Sequence, residues 1–288
     1  MADTAVAYAT GVVSSADGTT IGYRRLGDGP GLVLVSGGYL AAQHYMALAQ
    51  ALCGTFSVYV LDRRGRGRSG PPGEKYRMAR ECEDIDALLS ETGARLLFGH
   101  SSGGLIALQA ALTLPAVSHV AVYEPALSMY GAFDLTWIPR FEREMDQGDI
   151  AAAMVTFVQG VQAERMSVAL PRRLFELALR WYFRRQRKVH KPGEESIPEL
   201  IPLQRYDVRL FAEMAGSEGF AELRAEVLLM DGIRTPPPIH RAIDALQATL
   251  PRAERVTLDG VGHEAPLNGR GAPGRVAAEL RGFFPHGS

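Results

Sequence analysis

A serine, a histidine and the small residues around them are the parts of this 288-residue chain whose spacing can do chemistry. Ser101 stands in Gly99-His100-Ser101-Ser102-Gly103-Gly104, directly after the apolar run Leu96-Leu97-Phe98. The spacing Gly-x-Ser-x-Gly suits a sharp turn from strand to helix, because residues two before and two after the serine must be small for the two elements to approach. Glycine meets that demand at the least conformational cost. Leu105 to Leu112 has the composition of a buried helix, whose positive N-terminal end would lie beside the serine and favour an oxyanion. A serine so placed becomes an acyl-transfer nucleophile once a base takes its proton and a carboxylate orients that base. His263, in Asp259-Gly260-Val261-Gly262-His263-Glu264 just beyond the last predicted strand, is the base this reading selects. His100 is expected to point away from the serine, and His44, His119, His190, His240 and His286 to be packing or surface residues.

Positioning these groups requires strands that end at a common edge. Gly11 to Ser15 and Thr20 to Arg25, joined by Ala16-Asp17-Gly18, read as a hairpin. Four apolar runs follow: Leu32-Val33-Leu34-Val35, Val58-Tyr59-Val60-Leu61, Leu96-Leu97-Phe98 and His119-Val120-Ala121-Val122-Tyr123. Continuous apolarity fits strands of a parallel sheet covered on both faces. Val227-Leu228-Leu229-Met230 is a further such run, whereas Glu254-Arg255-Val256-Thr257-Leu258 alternates, as expected nearer a sheet edge. From Leu127 to Glu222 β-type patterning fades, and Ile150 to Val161 and Arg173 to Tyr182 carry apolar residues at helical spacing.

Four motifs together resemble the α/β-hydrolase family: Ser36-Gly37-Gly38, Asp62-Arg63-Arg64-Gly65-Arg66-Gly67-Arg68-Ser69, Gly99 to Gly104, and Gly260-Val261-Gly262-His263. The resemblance implies a mostly parallel sheet flanked by helices, an α/β-hydrolase core over 1–126 and 223–288, and a helical cap over 127–222 inserted before the next-to-last strand. It also implies an oxyanion hole made by the backbone N–H groups of Gly38 and Ser102. Where the family commonly has His-Gly before the first donor, this chain has Ser36-Gly37. The family's Gly-x-x-Asp acid falls on Gly232-Ile233-Arg234-Thr235, and a threonine carries no charge. Some relatives supply the acid from the preceding strand end, which here is Glu124, and the order Ser, acid, His is then kept. Asp231 and Asp259 stay open as alternatives. The expected activity is that of a serine hydrolase acting on an ester, thioester or lactone of a small to medium apolar substrate through Ser101, His263 and Glu124. Two other readings use the same scaffold: a lyase, cyclase or acyltransferase, and a ligand-binding protein on a decayed hydrolase. Serine in place of aspartate at the nucleophile position argues against epoxide hydrolase or haloalkane dehalogenase chemistry.

Bulk properties agree with a small-molecule enzyme. Thirty-one basic against 32 acidic residues give no field for nucleic acid or an anionic membrane. No stretch reads as a signal peptide or membrane span, so the expected location is the cytoplasm. Cys53 and Cys82 read as residues of core-packed helices, with neither a disulfide framework nor a metal cluster, and no cofactor is expected. Gly65-Arg66-Gly67-Arg68-Ser69-Gly70 has the outline of a dinucleotide fingerprint, but Pro71-Pro72-Gly73 stops the helix that would bind the pyrophosphate. The loop is expected instead to tie strand to loop through Asp62 and its arginines. Arg184 to Lys188 reads as a solvated surface, and Trp137, Phe141, Trp181, Tyr182 and Phe183 as helix-packing residues.

Overall fold

Apolar residues alternate between two layers along every central strand, which is why those strands are apolar without interruption. The computed structural model describes residues 7–127, 134–161, 171–186, 194–216 and 219–286. Its eight strands are β1 (Ala9–Ser14), β2 (Thr20–Leu26), β3 (Gly31–Val35), β4 (Ser57–Leu61), β5 (Leu96–His100), β6 (His119–Tyr123), β7 (Glu226–Gly232) and β8 (Glu254–Leu258). They form one sheet in the order β1-β2-β4-β3-β5-β6-β7-β8. The hairpin and its junction to β4 are antiparallel, and every other pairing is parallel. β8, the alternating strand, lies at the edge.

Val33, Val35, Leu97, Val120, Val122, Val227 and Leu229 face one layer. Leu32, Leu34, Phe98, Ala121, Leu228 and Met230 face the other. The side-chain period of two in a strand thus feeds both cores at once. Three helices cover the first layer: α2 (Met78–Thr92), α3 (Ser102–Thr113) and, later in the chain, α9 (Pro237–Thr249). α1 (Met46–Leu52) and α10 (Pro273–Phe283) cover the second. Cys82 is buried on α2, and Cys53 is half-buried just past α1.

Chain direction across the sheet reverses at β3. From β4, on one side of β3, the chain crosses to β5 on the other, so the turns leaving β3 and β5 lie side by side. Such a switch point opens a crevice at the carboxyl ends of the strands, where open α/β sheets bind ligands.

Between β6 and β7 runs a helical insertion: α4 (Ile138–Asp146), α5 (Ile150–Gly160), α6 (Arg172–Gln186), α7 (Ile197–Leu200) and α8 (Gln204–Glu213). Asp149 caps α5 by accepting from the Ala152 N–H at 3.1 Å. Two small apolar clusters hold the helices together, one around Ala151, Met154, Phe183 and Ile201 and one around Phe141, Ala153 and Val208. The aromatic residues divide. Phe141 and Phe183 are buried and Trp137 packs edge-on against Phe141 and Phe157. Trp181 and Tyr182 instead face solvent, 62% and 40% exposed, which corrects their reading as packing residues. α6 carries two apolar stripes, and only the one through Phe175, Leu179 and Phe183 turns inward.

Candidate active site

β5 ends at His100, and the chain reverses through Ser101 into α3. Ser101 holds φ 55°, a left-handed backbone that costs a non-glycine residue of order 1–3 kcal/mol. Its N–H donates to the Tyr123 carbonyl at 3.0 Å and its carbonyl accepts from the Ala126 N–H at 3.0 Å, so the turn is clamped to the end of β6. A methyl group on Gly99 would collide with the Gly103 carbonyl, and one on Gly103 with the carbonyls of Val35 and Ser36. These contacts are the physical reason for glycine two before and two after the serine. Among the described residues the other non-glycine positions with positive φ are Tyr39 and Glu124, in the turns leaving β3 and β6. All three strained residues therefore border one edge of the sheet.

Glu124 is fully buried and uses both of its oxygens. Oε2 meets His263 Nδ1 at 2.7 Å. Oε1 accepts from the Thr235 hydroxyl and, at 3.3 Å, from the Gly232 N–H, which also donates to Thr235 Oγ at 3.0 Å. Thr235 thus stands beside the carboxylate rather than replacing it: the threonine supplies a hydroxyl and Glu124 the charge. Asp231 is engaged elsewhere, with Arg255 at 2.9 Å and His240 at 3.2 Å. Asp259 is exposed. Of the three candidate acids, only Glu124 meets His263.

Three contacts place His263. The Tyr123 hydroxyl donates to the Gly262 carbonyl at 2.9 Å, which ties the histidine loop to β6. Glu124 takes Nδ1, and the ring lies over His100, with centroids 4.5 Å apart. A histidine whose Nδ1 faces a carboxylate carries its proton there and leaves Nε2 as the free base. His100 is buried and forms the floor beneath His263, a role that its position in the sequence did not reveal. Its Nδ1 lies 2.7 Å from the Tyr45 hydroxyl, whose oxygen in turn accepts the Gly37 N–H at 2.9 Å. Burial, and after it the neighbouring His263, push His100 well below the ordinary histidine range. Burial likewise raises Tyr45, so this pair stays neutral.

The two candidate oxyanion donors lie on either side of Ser101. Ser102 opens α3, where backbone N–H groups lack helical partners. Gly38 follows Gly37, and a methyl group on Gly37 would stand 3.2 Å from Ser101 Cβ, so this turn lies against the serine. Behind both is a sealed ionic cluster. Arg63 bonds Glu81 and Asp207, Arg66 bonds Asp207, and all four are at most 2% exposed. Burial opposes ionisation of Asp207, but Arg63 and Arg66 outweigh it and hold the carboxyl below its ordinary range. Arg64, the next residue, turns the other way to Asp84 and Asp17. The Asp62 loop does tie strand to loop: Ser69 donates to the Asp62 carbonyl, and the Arg68 N–H donates to its carboxylate at 3.2 Å. No helix follows this loop until Met78.

His44 accepts from the Ala41 N–H, His119 lies against Ser118 and His286 against the Phe284 carbonyl, all apart from Ser101. His190 and Arg187-Lys188 fall outside the described residues, whereas Arg184 and Arg185 are exposed at the end of α6. Among the described residues, no group of three or more His, Cys, Asp or Glu side chains could hold a metal ion, and no helix is long and apolar enough to cross a membrane.

The family model described as the alpha/beta hydrolase family matches residues 32–279. An uncharacterized hydrolase of Bacillus subtilis, YraK, is 34% identical over 115 residues, which cover 38% of this chain and 42% of that protein. A pimeloyl-[acyl-carrier protein] methyl ester esterase of Aeromonas hydrophila is 34% identical over 101 residues, covering 35% of this chain and 39% of that one. This chain therefore spans about two fifths of the length of these curated relatives. Among solved structures, an alpha/beta hydrolase from Sphaerobacter thermophilus DSM 20745 superposes with a TM-score of 0.77 at 27% identity, covering 96% of this chain and 100% of that chain.

Proposed function

Because the chain belongs to the alpha/beta hydrolase family, we propose that it is a serine hydrolase cleaving an ester, thioester or lactone of a small to medium apolar compound. The observation that carries this reading is the 2.7 Å pairing of His263 Nδ1 with buried Glu124, beside the strained serine turn. The curated methyl ester esterase similar to part of the chain gives the ester class its weight.

In this reading His263 Nε2 takes the Ser101 proton as Oγ attacks the substrate carbonyl carbon. Charge moves to the carbonyl oxygen, where the Gly38 and Ser102 N–H groups receive it. The tetrahedral intermediate collapses, the bond to the leaving oxygen or sulfur breaks, and imidazolium donates the proton to that group. Water, deprotonated by His263, then attacks the acyl-enzyme and releases the acid and free Ser101. The Glu124 carboxylate stabilises the imidazolium, while Thr235 and Gly232 hold it in place. In this reading the helical insertion acts as the cap over the crevice. Three strained residues around one crevice favour a working site over a decayed scaffold.

A fluorophosphonate probe should label the wild-type chain rapidly and leave Ser101→Ala unlabelled. Equal labelling of the two would overturn the serine assignment. With a p-nitrophenyl ester in oxygen-18 water, the released acid should carry one heavy oxygen per turnover. Product without it would point to transfer or elimination instead of hydrolysis.

A further inference from the structure

Both candidate oxyanion donors are fastened to one carboxylate, and it comes from the insertion. We infer that Asp207, on α8, is a positioning residue that orients the Gly38 and Ser102 amides toward the developing oxyanion, an inference that rests on the serine-hydrolase reading above.

The first arm is direct. The Ser102 hydroxyl donates to Asp207 Oδ1 at 2.7 Å, fixing the residue whose backbone N–H is the elbow's donor. The second arm passes through Arg66, whose Nη2 donates to Asp207 Oδ2 at 2.8 Å and whose Nη1 donates to the Gly37 carbonyl at 2.9 Å. That carbonyl belongs to the same peptide group as the Gly38 N–H. Among the described residues there is no cis peptide bond, and in a trans peptide the carbonyl and the following N–H point in opposite directions. Holding Gly37 O against the buried guanidinium therefore turns the Gly38 N–H away from the cluster, toward the open side of the turn. Were that peptide to flip, a carbonyl oxygen would face the oxyanion and repel it.

Supporting bonds fix the rest of the turn. Arg66 Nη1 also reaches the Leu40 carbonyl at 2.9 Å, and Arg63 Nη1 reaches the Ser36 carbonyl at 3.2 Å while donating to Asp207 Oδ1 at 2.6 Å. One turn earlier on α8, Gln204 is 97% buried with its side-chain amide pressed on Gly38. Residues at i and i+3 share a helix face, so α8 delivers the anchor and the buttress together. Two negative and two positive groups balance within the cluster, and removal of Asp207 alone leaves Arg66 free to release Gly37.

The test is steady-state hydrolysis of p-nitrophenyl butyrate, with fluorophosphonate labelling and circular dichroism run on the same samples. Asp207→Asn, corrected for folded fraction, should lower kcat about 100-fold, the loss typical of one oxyanion donor, with KM within about threefold. A carboxylate that merely stabilised the fold would lower the folded fraction and leave kcat per folded molecule unchanged, and that result overturns the inference. Ser102→Ala removes one hydrogen bond and no charge. It should lower kcat about tenfold at unchanged KM, and if Asp207→Asn does not fold, a wild-type kcat in Ser102→Ala overturns the inference. A wild-type chain that neither labels nor hydrolyses would instead overturn the serine reading, and this one with it.

Discussion

Two histidine–carboxylate pairs lie at the ends of adjacent parallel strands, and they differ in what else touches the carboxylate. Beside β6, buried Glu124 meets His263 at 2.7 Å, and its other partners are neutral: the Thr235 hydroxyl and the Gly232 N–H. In β7, Asp231 is equally buried and meets His240 at 3.2 Å, but Arg255 bonds the same oxygen at 2.9 Å. A hydroxyl orients a carboxylate and leaves its charge available. A guanidinium orients it and neutralises the charge. A histidine beside an acid therefore does not by itself define a site. What matters is whether the acid has charge left to give, and whether a nucleophile stands within reach.

The largest effect expected from breaking this contrast is in Glu124→Gln. Loss of the charge under His263 should lower kcat/KM by about 10³–10⁴, measured on a p-nitrophenyl ester, as for loss of the acid from other serine triads. Thr235→Val keeps the charge and removes one hydrogen bond to it, so a fall of about tenfold is expected in the same assay. Asp231→Asn should leave kcat/KM within about twofold while lowering stability by about 1–3 kcal/mol in urea unfolding, since Arg255 can still bond Asp244. If Asp231→Asn instead matched Glu124→Gln in activity, the distinction between the two pairs would collapse.

The smallest effect is in the pH dependence of stability. Burial keeps His100 neutral in the folded chain, whereas the unfolded chain protonates it below about pH 6.5. The unfolded state then binds the extra proton, so stability should fall as pH drops from about 6.5 toward the depressed folded value. His44, also pushed down by burial, adds in the same direction. Thermal unfolding between pH 7 and pH 5 measures the slope, and His100→Gln should flatten it.

How much of this was legible depended on whether the information was local. Runs such as Val120-Ala121-Val122 announced strands because both faces of a parallel sheet are apolar, and the alternation of Glu254 to Leu258 marked an edge. Gly99 and Gly103 announced the elbow because steric limits leave little else there. The acid was not local. Glu124 and Thr235 are 111 positions apart and meet only because β6 pairs with β7. Asp207 carried no signal at all. On a short amphipathic helix it reads as one more polar residue, and its partners Ser102, Arg63 and Arg66 lie 105, 144 and 141 positions earlier. The α6 aromatics misled because one helix held two apolar stripes, and spacing alone cannot say which of them turns inward.

α8 is rooted differently from the helices before it. Leu210 joins the main core over the sheet even though Val208 packs with Phe141 and Ala153, while the clustered residues of α4, α5 and α6 lie only in the insertion's small clusters. Regions with few buried contacts open at lower free energy than the core to which they are attached. On gentle warming, α4 to α6 would therefore loosen as one unit while α8, with Asp207 and Gln204, stays seated.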